Sequence, residues 1–232
     1  IKYCYVFFYK YKQLIFLTIL PSVICYYDLF ILLNNALIYY YYLFESMILN
    51  YKNLFNYPID FLHLVHKHIY LRNKKNTYKN EGNTTSNNTY VLENKTLKNL
   101  KKDLNKKVIN YFNEVVCTSN SIIPYITQSW ISYTETNQFH HQHAHSNSYI
   151  SGIFYIDAQK EVDSITFYKP NANETIKLNV TKHNPFNSVT CLFPVQTGDV
   201  ILFPSFLHHG VDKKKGTNTR ISLSFNVFMK GK

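Results

Sequence analysis

The sequence predicts a mainly β fold, an antiparallel barrel or jelly roll, with helices ahead of it that cover one sheet. Three observations carry this. From about Ser129 the apolar period becomes two, the period of a strand with one buried face. Roughly eight short runs rich in Ile, Val, Phe, Tyr and Thr follow, punctuated by Asn, Gly, Asp and Pro, which favours a closed or double-sheet antiparallel architecture. Upstream of them, Leu97, Leu100, Leu104, Val108, Phe112 and Val115 recur at helical spacing with lysines between them, so an amphipathic helix must lie on something apolar.

Residues 1–46 hold ten of the 21 tyrosines and are nearly uncharged. Leu14 to Leu33 matches the roughly 20 residues that span a bilayer, but Pro21 interrupts it and Asp28 is costly in hydrocarbon. The first Met is Met47. We expect the protein proper to begin near Met47, with 1–46 a dubious hydrophobic extension; a membrane anchor over 14–33 and a packed helical extension are the alternatives. Residues 47–125 form a helical support region. Within it, "NKKNTYKNEGNTTSNNT" (73–89) is polar and turn-rich and predicts a loop. Thr96 is the candidate N-cap of the amphipathic helix. Residues 126–232 form the core, with strands in "SWISYT", "SYISGIFYI", "SITFYKP", "TIKLNV", "VILFPSF" and "RISLSFNVF".

The formal charge is +11, which by itself favours anionic partners. The lysines are scattered over 66–107 and 213–215 with few aromatics between them, so they read as solvated surface, and nothing in the pattern singles out nucleic acid. Cys4, Cys25, Cys117 and Cys191 show no paired or regular spacing; the pattern argues against a disulfide framework or zinc ribbon, and a reducing, cytoplasmic location fits better. The sequons at Asn83, Asn87, Asn94, Asn173 and Asn179 are no more than this Asn- and Thr-rich composition supplies.

The richest stretch is "HHQHAHSNSYISG", with His140, His141, His143 and His145 in six positions. In a strand, i and i+2 share a face, so His143 and His145 can share a metal. His141 is in phase with them and could replace His145, while His140 and Gln142 point away. A functional site needs a further ligand from elsewhere, and "GDVILFPSFLHHGV" offers His208 and His209. Next comes "RISLSFNVF", where Arg220, Ser222, Ser224 and Asn226 alternate with Ile221, Leu223, Phe225 and Val227. Four stacked polar groups demand partners. A strand lining a polar cavity, backed by helices on its apolar face, accounts for both faces. Arg220 is one of only two arginines against a large excess of lysine. Its planar fork suits a carboxylate.

These three blocks, in this order and at these separations, resemble the 2-oxoglutarate- and Fe(II)-dependent oxygenases, and are most similar to a branch common in marine bacteria and their viruses. The resemblance covers 126–232 well, continues weakly back to "LFNYPID" and leaves out 1–46. It implies a double-stranded β-helix (jelly roll) core, with His143, His145 and His209 as metal ligands. It implies that Arg220 and Ser222 hold the distal carboxylate of 2-oxoglutarate, with Asn226 in the same cavity. It implies Fe(II) and 2-oxoglutarate as cofactors, dioxygen as co-substrate, and hydroxylation of an unknown substrate with release of succinate and carbon dioxide. One departure stands out: the second ligand of the wider superfamily is a carboxylate, and here it would be His145. Three neutral imidazoles leave the ion its full charge, which strengthens its attraction for 2-oxoglutarate and weakens selectivity for iron over zinc. The alternative is a non-catalytic or cupin-like metal-binding jelly roll, although no Glu follows "HAH" at the cupin offset.

Overall fold

The structure is a computed structural model that describes residues 49–51 (backbone only), 77–118, 121–169, 181–183 and 188–232. All belong to the unit Tyr40–Lys232. The expectations for residues 1–46, for an anchor over 14–33 and for a strand in "TIKLNV" fall outside the described residues. Among the described residues, no helix is long and apolar enough to cross a membrane.

The amphipathic pattern produces helix α1, Lys98–Tyr111, followed by a π-helical turn, Phe112–Val116. Leu100, Leu104, Val108 and Tyr111 are fully buried, and burying each aliphatic side chain contributes about 1.5–3 kcal/mol. Thr96 is not the N-cap. Two 3₁₀ turns, Val91–Glu93 and Lys95–Leu97, lead into α1, and the Asn94 side chain accepts from the Thr96 backbone N–H at 3.1 Å and from its hydroxyl at 3.0 Å. The cap sits one turn early because the chain enters α1 already wound, and Leu97 at its start has no side-chain cap.

The strands are β1 (Leu49–Tyr51), β2 (Thr77–Lys79), β3 (Thr84–Ser86), β4 (Ile122–Thr134), β5 (His140–His143), β6 (Ile150–Asp157), β7 (Ser164–Tyr168), β8 (Thr190–Pro194), β9 (Val200–Pro204), β10 (His209–Val211) and β11 (Arg220–Gly231). One sheet has the order β1-β9-β6-β11-β4-β3-β2 and the other β5-β10-β7-β8. Every described strand pairing is antiparallel. The chain from β4 onward passes repeatedly between the sheets, with β9-β6-β11-β4 in one and β5-β10-β7-β8 in the other. This is the double-sheet arrangement of a jelly roll, as expected. The turn-rich stretch 73–89 is not all loop: β2 and β3 form a hairpin that extends the larger sheet beside β4. Its polar Thr-rich strands lie at a sheet edge, where composition hides them.

Alternation sorts the larger sheet into two environments. Ile150, Phe154 and Ile156 of β6, Val200 and Leu202 of β9, and Ile221, Leu223, Phe225 and Val227 of β11 pack with α1 in one core. The opposite faces contribute Ile153, Tyr155, Ile201 and Phe203 to a second core with Ile165, Phe167 and Leu207. Gly152 interrupts the apolar run of β6 for a steric reason: it pairs with Phe225, whose ring would lie 2.1 Å from an added Cβ.

Candidate active site

The smaller sheet brings the two histidine segments together. His143 ends β5 and His209 begins β10, and the two are direct cross-strand partners. His145, two residues past His143, is tied back by its backbone N–H, which donates to Ser205 O at 3.0 Å. One ring nitrogen from each of His143, His145 and His209 lies within 4.8 Å of the other two. His208 points elsewhere: it is exposed, and its Nδ1 lies 3.4 Å from Gln142 Nε2.

Hydrogen bonds decide which ring atoms are free to bind a cation. A carbonyl only accepts, so His143 Nδ1 donates to His141 O at 2.8 Å and His209 Nδ1 donates to Leu207 O at 3.0 Å. Asn226 Nδ2 faces Gln128 Oε1 at 3.4 Å, which leaves Asn226 Oδ1 to accept from His145 Nδ1 at 2.8 Å. A hydroxyl chain agrees with that assignment. Ser148 donates to Ile150 O and Ser205 donates to Ser148. With Ser151 donating to Ser205, Ser151 Oγ has a lone pair for His145 Nδ1, 3.0 Å away. All three imidazoles thus carry their proton on Nδ1 and present a bare Nε2. The Nε2 atoms of His143 and His145 face each other at 3.1 Å. Two lone pairs at that separation repel unless a cation lies between them, and two nitrogens bound about 2.1 Å from one ion at 90° would be ~3.0 Å apart. The residues therefore fit a divalent metal.

Burial supports the same state. It lowers the pKa of His143 to about 4, with the neighbouring imidazoles adding to the effect and the bond to His141 O opposing it. It lowers His145 and holds His209 well below the usual imidazole value. At neutral pH all three are neutral, as metal ligation requires.

Behind the histidines, β11 presents Arg220, Ser222 and Ser224 to the same hollow, which Trp130, Ser132, His140 and Tyr155 also line. Arg220 is 3% exposed. Its guanidinium donates only to Ser164 O and Thr134 Oγ1, each at 3.2 Å, and its Nε has no partner. No carboxylate among the described residues pairs with it within 4.0 Å. A buried cation with no carboxylate in direct contact is costly, and an anionic guest would relieve that cost. Ser132 Oγ in the same wall also lacks a partner. The hollow is small, about 30 Å³, room for little more than an ion and a water. Arg220 and Val211 also border a larger groove of about 440 Å³.

Ser222 lies in the hollow as the alternation implies. Asn226 meets it through His145 rather than lining it directly. His140 does not point away. Between His209 and Val211 on β10, β5 runs from His143 to His140, one residue more than its partner strand. This bulge resets the alternation, and the His140 ring stacks on His143 at 4.6 Å. Tyr155 and Trp130 were legible as cavity residues only through their strand phase with Ile153 and Ser132. Burial pushes the Tyr155 phenol well up, so it stays protonated beside Arg220.

Residues 128–226 match the family model described as "Putative 2OG-Fe(II) oxygenase". No curated protein sequence matches the chain. Among solved structures, an oxidoreductase of the 2OG-Fe(II) oxygenase family from Burkholderia pseudomallei is similar at 13% identity and TM-score 0.57, covering 82% of this chain and 89% of that one. HygX from Streptomyces hygroscopicus, solved with nickel, 2-oxoglutarate and hygromycin B, is similar at 13% identity and TM-score 0.57, over 80% and 84%. A Pseudomonas putida prolyl-4-hydroxylase is similar at 9% identity and TM-score 0.53, over 80% and 94%. At these identities the structural likeness speaks for the fold, and the family match speaks for the segment that carries the histidines and Arg220. Residues 128–226 are thus similar to the 2-oxoglutarate- and Fe(II)-dependent oxygenases in sequence pattern, and the described chain is similar to them in fold.

Proposed function

We propose that this chain hydroxylates a substrate at the hollow between β5, β10 and β11, with His143, His145 and His209 holding Fe(II) through Nε2. Arg220 and Ser222 would hold the distal carboxylate of 2-oxoglutarate. The observation that carries the reading is the pairing of three converging bare imidazole nitrogens with a buried guanidinium that no carboxylate among the described residues contacts. When bound, the iron with 2-oxoglutarate and dioxygen supplies the oxidising power, with succinate and carbon dioxide as co-products.

The chain's own residues bind, orient and exclude water. Asn226 and Ser151 fix the plane and tautomer of His145, and Leu207 O does the same for His209, which aims each Nε2 at one point. Because His143, His145 and His209 are all neutral donors, they would leave a bound ion its whole charge, which would favour the 2-oxoglutarate dianion at close range. Arg220 meets the far end of that dianion, and Tyr155 beside it is a neutral donor. Phe167 and Phe203, both fully buried, pack against the His209 ring at 6.1 and 4.7 Å and keep that side dry. The hollow must widen to admit 2-oxoglutarate, and the groove that shares Arg220 lies where that room can open. Free Cys117 and Cys191 suit a reducing, cytoplasmic setting.

Purified protein with Fe(II), ascorbate and 2-oxoglutarate, screened against fractionated host extract, should release succinate in at least one fraction, with His209→Ala inactive. Succinate release that is the same with His209→Ala as with the unmodified chain would refute the reading. A cupin-like or non-catalytic metal module would bind metal without a 2-oxoglutarate-dependent shift in its spectrum.

A further inference from the structure

We propose that His140, His141 and His143 form a second divalent-cation site, suited to Zn²⁺, that competes with the iron site for His143. One ring nitrogen from each lies within 4.8 Å of the other two. The rings of His140 and His141 are 5.2 Å apart, and those of His141 and His143 5.0 Å. A tetrahedral zinc with bonds of about 2.0–2.1 Å needs nitrogens ~3.3 Å apart, so a modest contraction of half-buried side chains completes the set.

The β5 bulge is what creates the site. It brings His140 onto the side of His143, and Gly210 permits it, since an added Cβ there would lie 3.1 Å from His140 O. A further observation marks the spot as made for a ligand. Nδ1 of His141 is buried without a hydrogen-bond partner, and the nearest acid, Glu81 Oε2, is 3.8 Å away. An imidazole nitrogen in that state gains by meeting a cation, and Glu81 is placed to neutralise part of its charge.

Competition follows from the chemistry of one ring. His143 Nδ1 is committed to His141 O, so His143 has a single bare nitrogen, and one ion can use it at a time. The exclusivity rests on the iron-site reading above; the second site itself does not. Three imidazoles favour Zn²⁺ over Fe²⁺ at either site, so access rather than donor type separates the two. The His141 side chain is 34% exposed, whereas His209 is buried, so zinc can reach the outer site from solvent. Zinc held there withdraws His143 from iron.

The test is Zn²⁺ stoichiometry and affinity by chromophoric chelator competition on the full metal-free chain. The unmodified chain, His209→Ala and His140→Ala/His141→Ala should each bind one Zn²⁺. The triple variant should bind at least about a hundredfold more weakly than His209→Ala, as expected when two ligands are lost. Should His209→Ala fail to fold, His145→Ala disables the inner site instead. Equal affinity of the triple variant and His209→Ala would overturn the proposal, and two Zn²⁺ on the unmodified chain would overturn the competition. If His140→Ala/His141→Ala binds none while His209→Ala binds as the unmodified chain does, the outer site stands and the iron-site reading is the one that fails.

Discussion

Replacing Arg220 with lysine probes the anion pocket while keeping the charge. A guanidinium has five N–H donors; two are used on Ser164 O and Thr134 Oγ1, and five minus two leaves three, the Nε–H among them. Those three can hold both oxygens of a carboxylate. A lysine ammonium has three donors around one atom, and if it keeps the two protein acceptors, one remains for the ligand. One charge-assisted hydrogen bond to 2-oxoglutarate is therefore lost. That costs about 1–3 kcal/mol, or roughly five- to 150-fold in Kd. The assay is calorimetric titration of 2-oxoglutarate into the Ni²⁺-loaded protein, which binds without turnover, with pyruvate as the control. Pyruvate lacks the distal carboxylate, so Arg220→Lys should leave its affinity nearly unchanged. An unaltered Kd for 2-oxoglutarate, or an equal loss for both ligands, would show that the guanidinium does not hold that carboxylate.

Three further outcomes follow from the geometry. Asn226→Ala removes the acceptor that orients His145 and should weaken metal binding about 10- to 100-fold; chelator competition reads this, and an unchanged affinity contradicts the orienting role. Lys214 and Asp163 form an ion pair at 2.7 Å with both side chains 1% exposed, so Lys214→Ala strands a buried carboxylate and should cost about 3–5 kcal/mol in denaturant unfolding; a loss under about 1 kcal/mol would mean that water reaches Asp163. The folded pKa values of His140 (about 3), His143 (about 4), His145 and His209 all lie below the unfolded value of 6.5. The unfolded chain then binds more protons, so stability is full above about pH 6.5 and is lost as pH falls toward 4. The metal-free protein should have a lower Tm at pH 5 than at pH 7.5, and a higher one would contradict the burial argument.

The sequence made much of this legible because alternation is a local property. The two faces of β11 could be read from "RISLSFNVF", and the structure puts Ile221, Leu223, Phe225 and Val227 against α1 and Arg220, Ser222 and Ser224 in the hollow. The helical face from Leu97 to Phe112 was read the same way. What stayed hidden depends on long-range pairing. The β5 bulge exists only in register with β10, so His140 was placed on the wrong side. The hairpin of β2 and β3 is held by β4, some 45 residues on, and its own Thr-rich strands lack an apolar signal. That Asn226 orients His145 needs two strands at once, and Lys214–Asp163 joins loops 51 residues apart.

The central claim is that one ion lies between His143, His145 and His209. Anomalous diffraction at the iron edge, from crystals loaded with Fe(II) under exclusion of oxygen, should show a single peak about 2.0–2.2 Å from the Nε2 atoms of all three. A peak bound only by other residues, or none at this point with iron present in the crystal, would contradict it.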